Sequence, residues 1–119
     1  MDIQETTDLL LLFRILEEKP VQLSRLLRHF GSAQAVIHSL PEVAVSGVNK
    51  KTVGHLQHQM STQRYRDKLQ RKVDSDQRWL QGKDNHLLVL DTPDYPDLLA
   101  EISDPPVLVF CRGDLEAIK

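Results

Sequence analysis

The residues best suited to chemistry are positive. Arg64, Arg66, Lys68, Arg71 and Lys72 stand within nine positions of one another, and Lys50 and Lys51 follow a short turn of sequence Gly47-Val48-Asn49. Read as a helix, the segment places Arg64, Lys68, Arg71 and Lys72 on one side and turns Tyr65 and Leu69 inward. Such a stripe can follow a phosphate backbone in a salt-dependent way. A run of this kind is more often a solvated helix face, and Asp67, Asp74 and Asp76 nearby favour that plainer reading. Nothing in the chain assembles the groups of an enzyme. The histidines (His29, His38, His55, His58 and His86) are scattered, and His55 and His58, although three residues apart, have no neighbouring Cys or carboxylate to complete a zinc site. There is no Walker loop and no Gly-x-Gly-x-x-Gly, so neither a catalytic activity nor a cofactor is expected. Arg112-Gly113-Asp114 matches a known adhesion tripeptide, a match that three residues make readily by chance.

The charge is uneven. Residues 1–49 carry four Lys/Arg and six Asp/Glu, residues 50–83 nine and three, and residues 84–119 two and eight, which leaves a net charge of −2. The molecule as a whole offers no strong field to nucleic acid or to an anionic membrane, whereas its middle does. Cys111 is the lone cysteine, so no intramolecular disulfide can form. A reducing, cytoplasmic setting is the expectation, with Cys111 as a small strand hydrophobe. The acidic N-terminus lacks the positive region of a signal peptide, and Leu9 to Phe13 is far too short to span a bilayer.

Three short helices must position the first forty residues. Leu9, Leu12, Phe13 and Leu16 have helical spacing, with Thr6, Thr7 and Asp8 ahead of them as N-caps, and the segment closes before Pro20. Leu23, Leu26, Leu27 and Phe30 repeat the pattern and Gly31 follows as a left-handed C-cap. Ser32 caps a third helix carrying Ala33, Val36, Ile37 and Leu40, ended by Pro41. A further helix starts at Lys50 with Val53, Leu56 and Met60, and another covers roughly 62–81, with Gly82 as its stop. The period then changes. His86 to Leu90 and Val107 to Cys111 are short apolar runs of strand character, joined by a proline-rich turn and one or two helical turns between Asp97 and Ile102. The fold class is therefore mainly α, with a helical domain over 1–81 and a strand–turn–strand segment over 82–119. The two strands can pair with each other or with a second copy of the chain.

Two resemblances sharpen this reading. Leu40 to Val53, LPEVAVSGVNKKTV, resembles a helix-hairpin-helix, in which the hairpin's N–H groups and the next helix N-terminus meet a phosphate. Asn49 stands where that motif has its second glycine, and an ordinary interhelical turn fits the same letters. Tyr95-Pro96, Leu99, Ile102, Asp104-Pro105-Pro106, Val109 and Gly113 look like the pattern of the DNA-processing protein A (DprA/Smf) family. Phe30-Gly31-Ser32 and the run from Trp79-Leu80 into an apolar strand are similar as well. The resemblance implies an N-terminal SAM-like or helix-hairpin-helix-like domain, followed by the first strand–turn–strand of an extended Rossmann-like domain. It further implies single-stranded DNA binding and loading of a RecA-type recombinase during natural transformation, without catalytic turnover. The family's Gly-Ser-Arg loop and its main strand-binding pocket would fall beyond Gly113, so this chain is expected to be an N-terminal portion. The candidate contact residues within it are Gly47, Asn49, Lys50, Lys51, Arg64, Lys68, Arg71 and Lys72, with a protein-interaction role as the alternative.

Overall fold

Leu9 to Leu12 is an uninterrupted leucine run, and a helix with such a run must be covered on more than one side. The structure, a computed structural model describing residues 3–17, 19–39 and 50–118, answers that demand. The chain is mainly α, with a small two-stranded antiparallel sheet. It divides into two compact units, the first ending at Asp74 and the second beginning at Ser75.

In the first unit, α1 (Ile3–Ile15) is the hub, packing against α2 (Pro20–Phe30), α3 (Ala33–His38) and α4 (Lys50–Ser61). Leu9, Leu10, Leu12, Ile15 and the following Leu16 are all buried. Leu10, absent from the expected stripe, is fully enclosed, whereas Phe13 is only partly covered. Leu23 and Leu26 of α2, Ala33 and Val36 of α3, and Leu56 of α4 close the core around the hub. Each fully buried leucine contributes about 1.5–3 kcal/mol. This is how helices too short to persist alone are held in place.

The helix ends show which local signals govern. Pro20 occupies the first turn of α2, where its missing N–H costs nothing. Gly31 terminates α2 at φ 86°, with its N–H donating to Leu27 O at 2.8 Å. Ser32 caps α3 as expected, its hydroxyl accepting from Ala35 N at 3.1 Å. The expected cap of α1 is corrected: the helix starts at Ile3, so Thr6, Thr7 and Asp8 lie inside it. Thr7 Oγ1 donates to Ile3 O at 2.9 Å and Asp8 accepts from Gln4 Nε2 at 3.0 Å, so both side chains are satisfied one turn back. Glu5 then serves a different helix. Its two carboxylate oxygens accept from Ala33 N at 2.8 Å and Gln34 N at 3.0 Å, placing a negative charge on the N-terminus of α3.

The second unit opens inside α5 (Gln63–Leu80). Beyond that helix, β1 (Asn85–Val89) pairs antiparallel with β2 (Leu108–Arg112), from Asn85 opposite Arg112 to Val89 opposite Leu108. Of the two pairings expected from the sequence, the strands of one chain pair with each other. Leu88 and Leu108 lie on opposite faces and both are buried, which is why the runs are continuously apolar. A short turn of helix, α6 (Asp97–Ala100), sits in the connection, and α7 (Leu115–Ile118) follows β2. The end of α5 meets the sheet through Trp79, whose ring contacts Phe110 edge-on at 5.8 Å. Asn85 Nδ2 donates to Trp79 O at 2.6 Å and ties the end of that helix to the start of β1.

The Glu5 contact gives a direct test. Glu5→Ala leaves two N–H groups at the α3 terminus without their carboxylate and lowers stability by about 1–2 kcal/mol. Chemical denaturation followed by circular dichroism measures this. A midpoint unchanged from the parent would mean the contact contributes nothing.

Candidate nucleic-acid interface

The orientation of α5 decides which of its cations face what. Thr62 starts the helix, its carbonyl accepting from Arg66 N at 3.0 Å. Leu69 and Val73 are buried and Tyr65 is partly so, which fixes the inward side. At about 100° per residue, Arg64, Lys68, Arg71 and Lys72 share a sector of about 100°, and all four are exposed, as are Lys50 and Lys51 in the first turn of α4. Gly47 and Asn49 lie outside the described residues, and so does the rest of the expected hairpin.

The four cations of α5 separate into two pairs. Lys68 and Lys72 adjoin the inward stripe and line a cleft of about 260 Å3 within the first unit. Arg64 and Arg71, further round the helix, stay on its outer face. The cleft is closed on one side by Arg14, Ile15, Glu17 and Lys19 from the end of α1 and the turn after it. On the other side stand His55 and Gln59 of α4, with Tyr65 and Leu69 completing the floor. Three separate elements thus bring Arg14, Lys19, His55, Lys68 and Lys72 around one depression. Glu17 is its acidic member, and it accepts from Arg14 at 3.1 Å in an exposed pair that offsets only that arginine.

Two of the three acids beside the basic run bond to glutamines of their own helix, and the third, Asp76, is buried. Asp67 accepts from Gln63 Nε2 at 2.6 Å and Asp74 from Gln70 Nε2 at 2.9 Å. Both flank Arg71 on the helix rather than Lys72. Among the described residues, Lys68 and Lys72 have no ion-pair partner. The two histidines of α4 also separate: His55 lines the cleft, while the His58 ring lies 4.8 Å from that of Tyr65 at 52°. Among the described residues, no three of His, Cys, Asp and Glu converge as a metal would require.

The motif residues of the second unit hold the connection between the strands. Tyr95 is buried and its hydroxyl donates to Pro106 O at 2.7 Å, spanning the loop from Pro96 to Pro105. Asp104 is exposed ahead of the two half-buried prolines, and Pro96 leads into α6 in extended geometry. Gly113 has φ 137°, a conformation closed to other residues without strain. Its N–H donates to Asp84 O at 2.8 Å, and its carbonyl accepts from His86 Nε2 at 2.9 Å, so that nitrogen carries the proton. Arg112-Gly113-Asp114 therefore ends a strand. Among the described residues no helix is long and apolar enough to cross a membrane. Comparison of the chain with protein families, curated proteins and solved structures finds no match.

Burial raises the pKa of the Tyr95 hydroxyl above 10.0 and that of the Cys111 thiol above 9.0, in each case by disfavouring the charged form. The folded second unit therefore binds these protons more tightly than the unfolded chain does. The resulting stability is fully present below the ordinary values and is lost as pH rises through the folded ones. Denaturation monitored by Trp79 fluorescence should show stability falling as pH rises above about 9. Tyr95→Phe flattens the upper part of that decline, and at neutral pH it costs about 1–2 kcal/mol by stranding Pro106 O. An alkaline decline of the same slope in the Phe variant would contradict the assignment.

Proposed function

We propose that this chain is a DNA-contacting module of a DNA-processing protein of the DprA/Smf type, acting on single-stranded DNA. On this reading the first unit corresponds to the family's SAM-like or helix-hairpin-helix-like domain and the second to the leading edge of its Rossmann-like domain. The whole protein assists loading of a RecA-type recombinase in the cytoplasm and turns over no substrate. In that family the principal strand-binding pocket belongs to the Rossmann-like domain, so the module supplies an accessory contact. The observation that supports the reading best is the cleft, where Arg14 and Lys19 from the end of α1 and the turn after it, and Lys68 and Lys72 of α5, face one depression and the acid beside them is already paired. A basic enclosure of this kind suits a polyanion whose affinity is dominated by phosphate contacts.

A second reading, a protein-interaction module with no DNA contact of its own, is favoured by a different observation. Leu98 is 80% exposed and Ile102 50% exposed, four residues apart on and just after α6. Neighbouring apolar side chains left in water suit a protein partner.

Fluorescence anisotropy with a labelled single-stranded oligonucleotide separates the two readings. Binding should be measurable at low salt and weaken with a log–log slope of about −0.7 per phosphate contacted. Lys50→Ala/Lys51→Ala tests the hairpin separately: if the turn before α4 contributes, the slope becomes shallower by about 1.4, because two phosphates are no longer neutralised. Absence of binding at low salt would overturn the DNA reading and leave the interaction reading standing.

A further inference from the structure

The cleft differs from a plain basic patch because its floor is not polar. Buried Ile15 and Leu69 and half-buried Tyr65 line it together with Lys19 and the exposed Lys68 and Lys72, so one depression presents cations beside an aromatic ring and aliphatic carbon. We propose that it receives one nucleotide of a single strand, with the phosphate on Lys68 and Lys72 and the base against Tyr65. This rests on the nucleic-acid reading above and goes further, naming the unit bound and the residues that bind it.

Three features carry the assignment. A volume of about 260 Å3 suits a nucleotide and is much too small for a duplex. Lys68 and Lys72 are one helical turn apart, about 6 Å along the axis, so their ammonium groups can bracket a single phosphate from one side. Tyr65 lines the floor of the cleft, and a base can lie against it there only when out of a paired stack, which confines the site to single strands. His55 and Gln59, on the α4 wall, offer polar atoms to the edge of such a base. Stacking of this kind tolerates any base, because every base has a π face.

The same chemistry, a phosphate ester carrying a base, occurs in a single strand and in a free nucleotide, and the experiment distinguishes them. Heteronuclear NMR on the whole chain follows the Tyr65 ring and backbone resonances during titration with oligothymidylate, thymidine monophosphate or inorganic phosphate. Oligothymidylate should shift the Tyr65 ring protons upfield; the monophosphate should do so only at much higher concentration, having one phosphate to offer. Saturation by the monophosphate at equal or lower concentration would reassign the cleft to free nucleotides and overturn the strand assignment. Inorganic phosphate producing the same Tyr65 shift would reduce the cleft to an anion site and overturn the role of the base.

Charge reversal supplies the second arm. Lys68→Glu/Lys72→Glu should weaken oligothymidylate binding about tenfold or more and make the salt slope shallower by about 0.7, the share of the one phosphate the pair brackets. Arg64→Glu/Arg71→Glu, with the same change in net charge on the outer face, should cost about threefold or less. All four side chains are exposed, so thermal melts of the variants should match the parent. Equal losses from the two pairs would overturn the cleft as the site while leaving DNA binding intact. An oligonucleotide that fails to bind the parent at low salt would instead overturn the nucleic-acid reading itself.

Discussion

Burial of α1 on several sides is the constraint on which the helical unit depends. A helix exposing one face to water can be packed by a single partner, whereas Leu9, Leu10 and Leu12 point in different directions and all must be covered. Three helices from later in the chain therefore gather round α1. The polar consequences are handled locally. Thr7 and Asp8 bond within the helix, and Glu5, pushed to the rim, finds the free N–H groups of α3. Hydrophobic burial thus places the elements and a carboxylate fixes one of their ends.

The same constraint shapes the cleft. The C-terminal end of α1 carries Arg14, and the turn that Pro20 imposes after it carries Lys19, so both are brought to the rim by the way the hub helix ends. The part of the cleft that α5 supplies depends on Leu69 and Val73. Because these two are buried, Lys68 and Lys72 border the interior, and Arg64 and Arg71 cannot reach it. A one-residue change in the register of that buried stripe would turn a different set of cations toward the cleft. The electrostatics of the site are therefore set by apolar packing rather than by the number of basic residues nearby.

What could be read from the sequence is what is encoded locally. Gly31 and Ser32 mark their helix ends because their geometry needs only their own residues and the next turn. The strands are recognisable from continuous apolar runs, since both faces of the small sheet are covered. The start of α1 was misleading because Thr and Asp are cap residues that can also be satisfied inside a helix, and their letters do not say which has occurred. The Glu5 contact joins residues 28 apart, and no spacing rule reports it. The cleft is the sharper case. Lys68 and Lys72 could be found as part of a basic stripe, but Arg14, Lys19 and His55 come from two other elements and belong to no pattern. The one clue in the sequence was Tyr65, an aromatic residue set among cations.

The distribution of charge limits where a polyanion could be held. Residues 84–119 contain two Lys/Arg against eight Asp/Glu, and the acids there include exposed Asp84, Asp91, Asp94, Asp97 and Asp104. Within a Debye length of about 8 Å at physiological salt, such a surface repels phosphate. The motif that supplies the family resemblance lies in this segment, and its residues are used structurally: Tyr95 ties down a proline-rich connection, and Gly113 allows the turn that His86 and Asp84 hold. The residues that suggest a kinship and those able to touch a nucleic acid are therefore in different units, under different constraints. Packing and backbone geometry restrict Tyr95, Pro106 and Gly113, so their pattern would survive a change of ligand. Lys68 and Lys72 are exposed and, among the described residues, make no ion pair, so neither packing nor a charged partner restricts them. A family signature built on the first set can persist while the second varies freely, and the binding behaviour of the helical unit has to be judged from its own cleft.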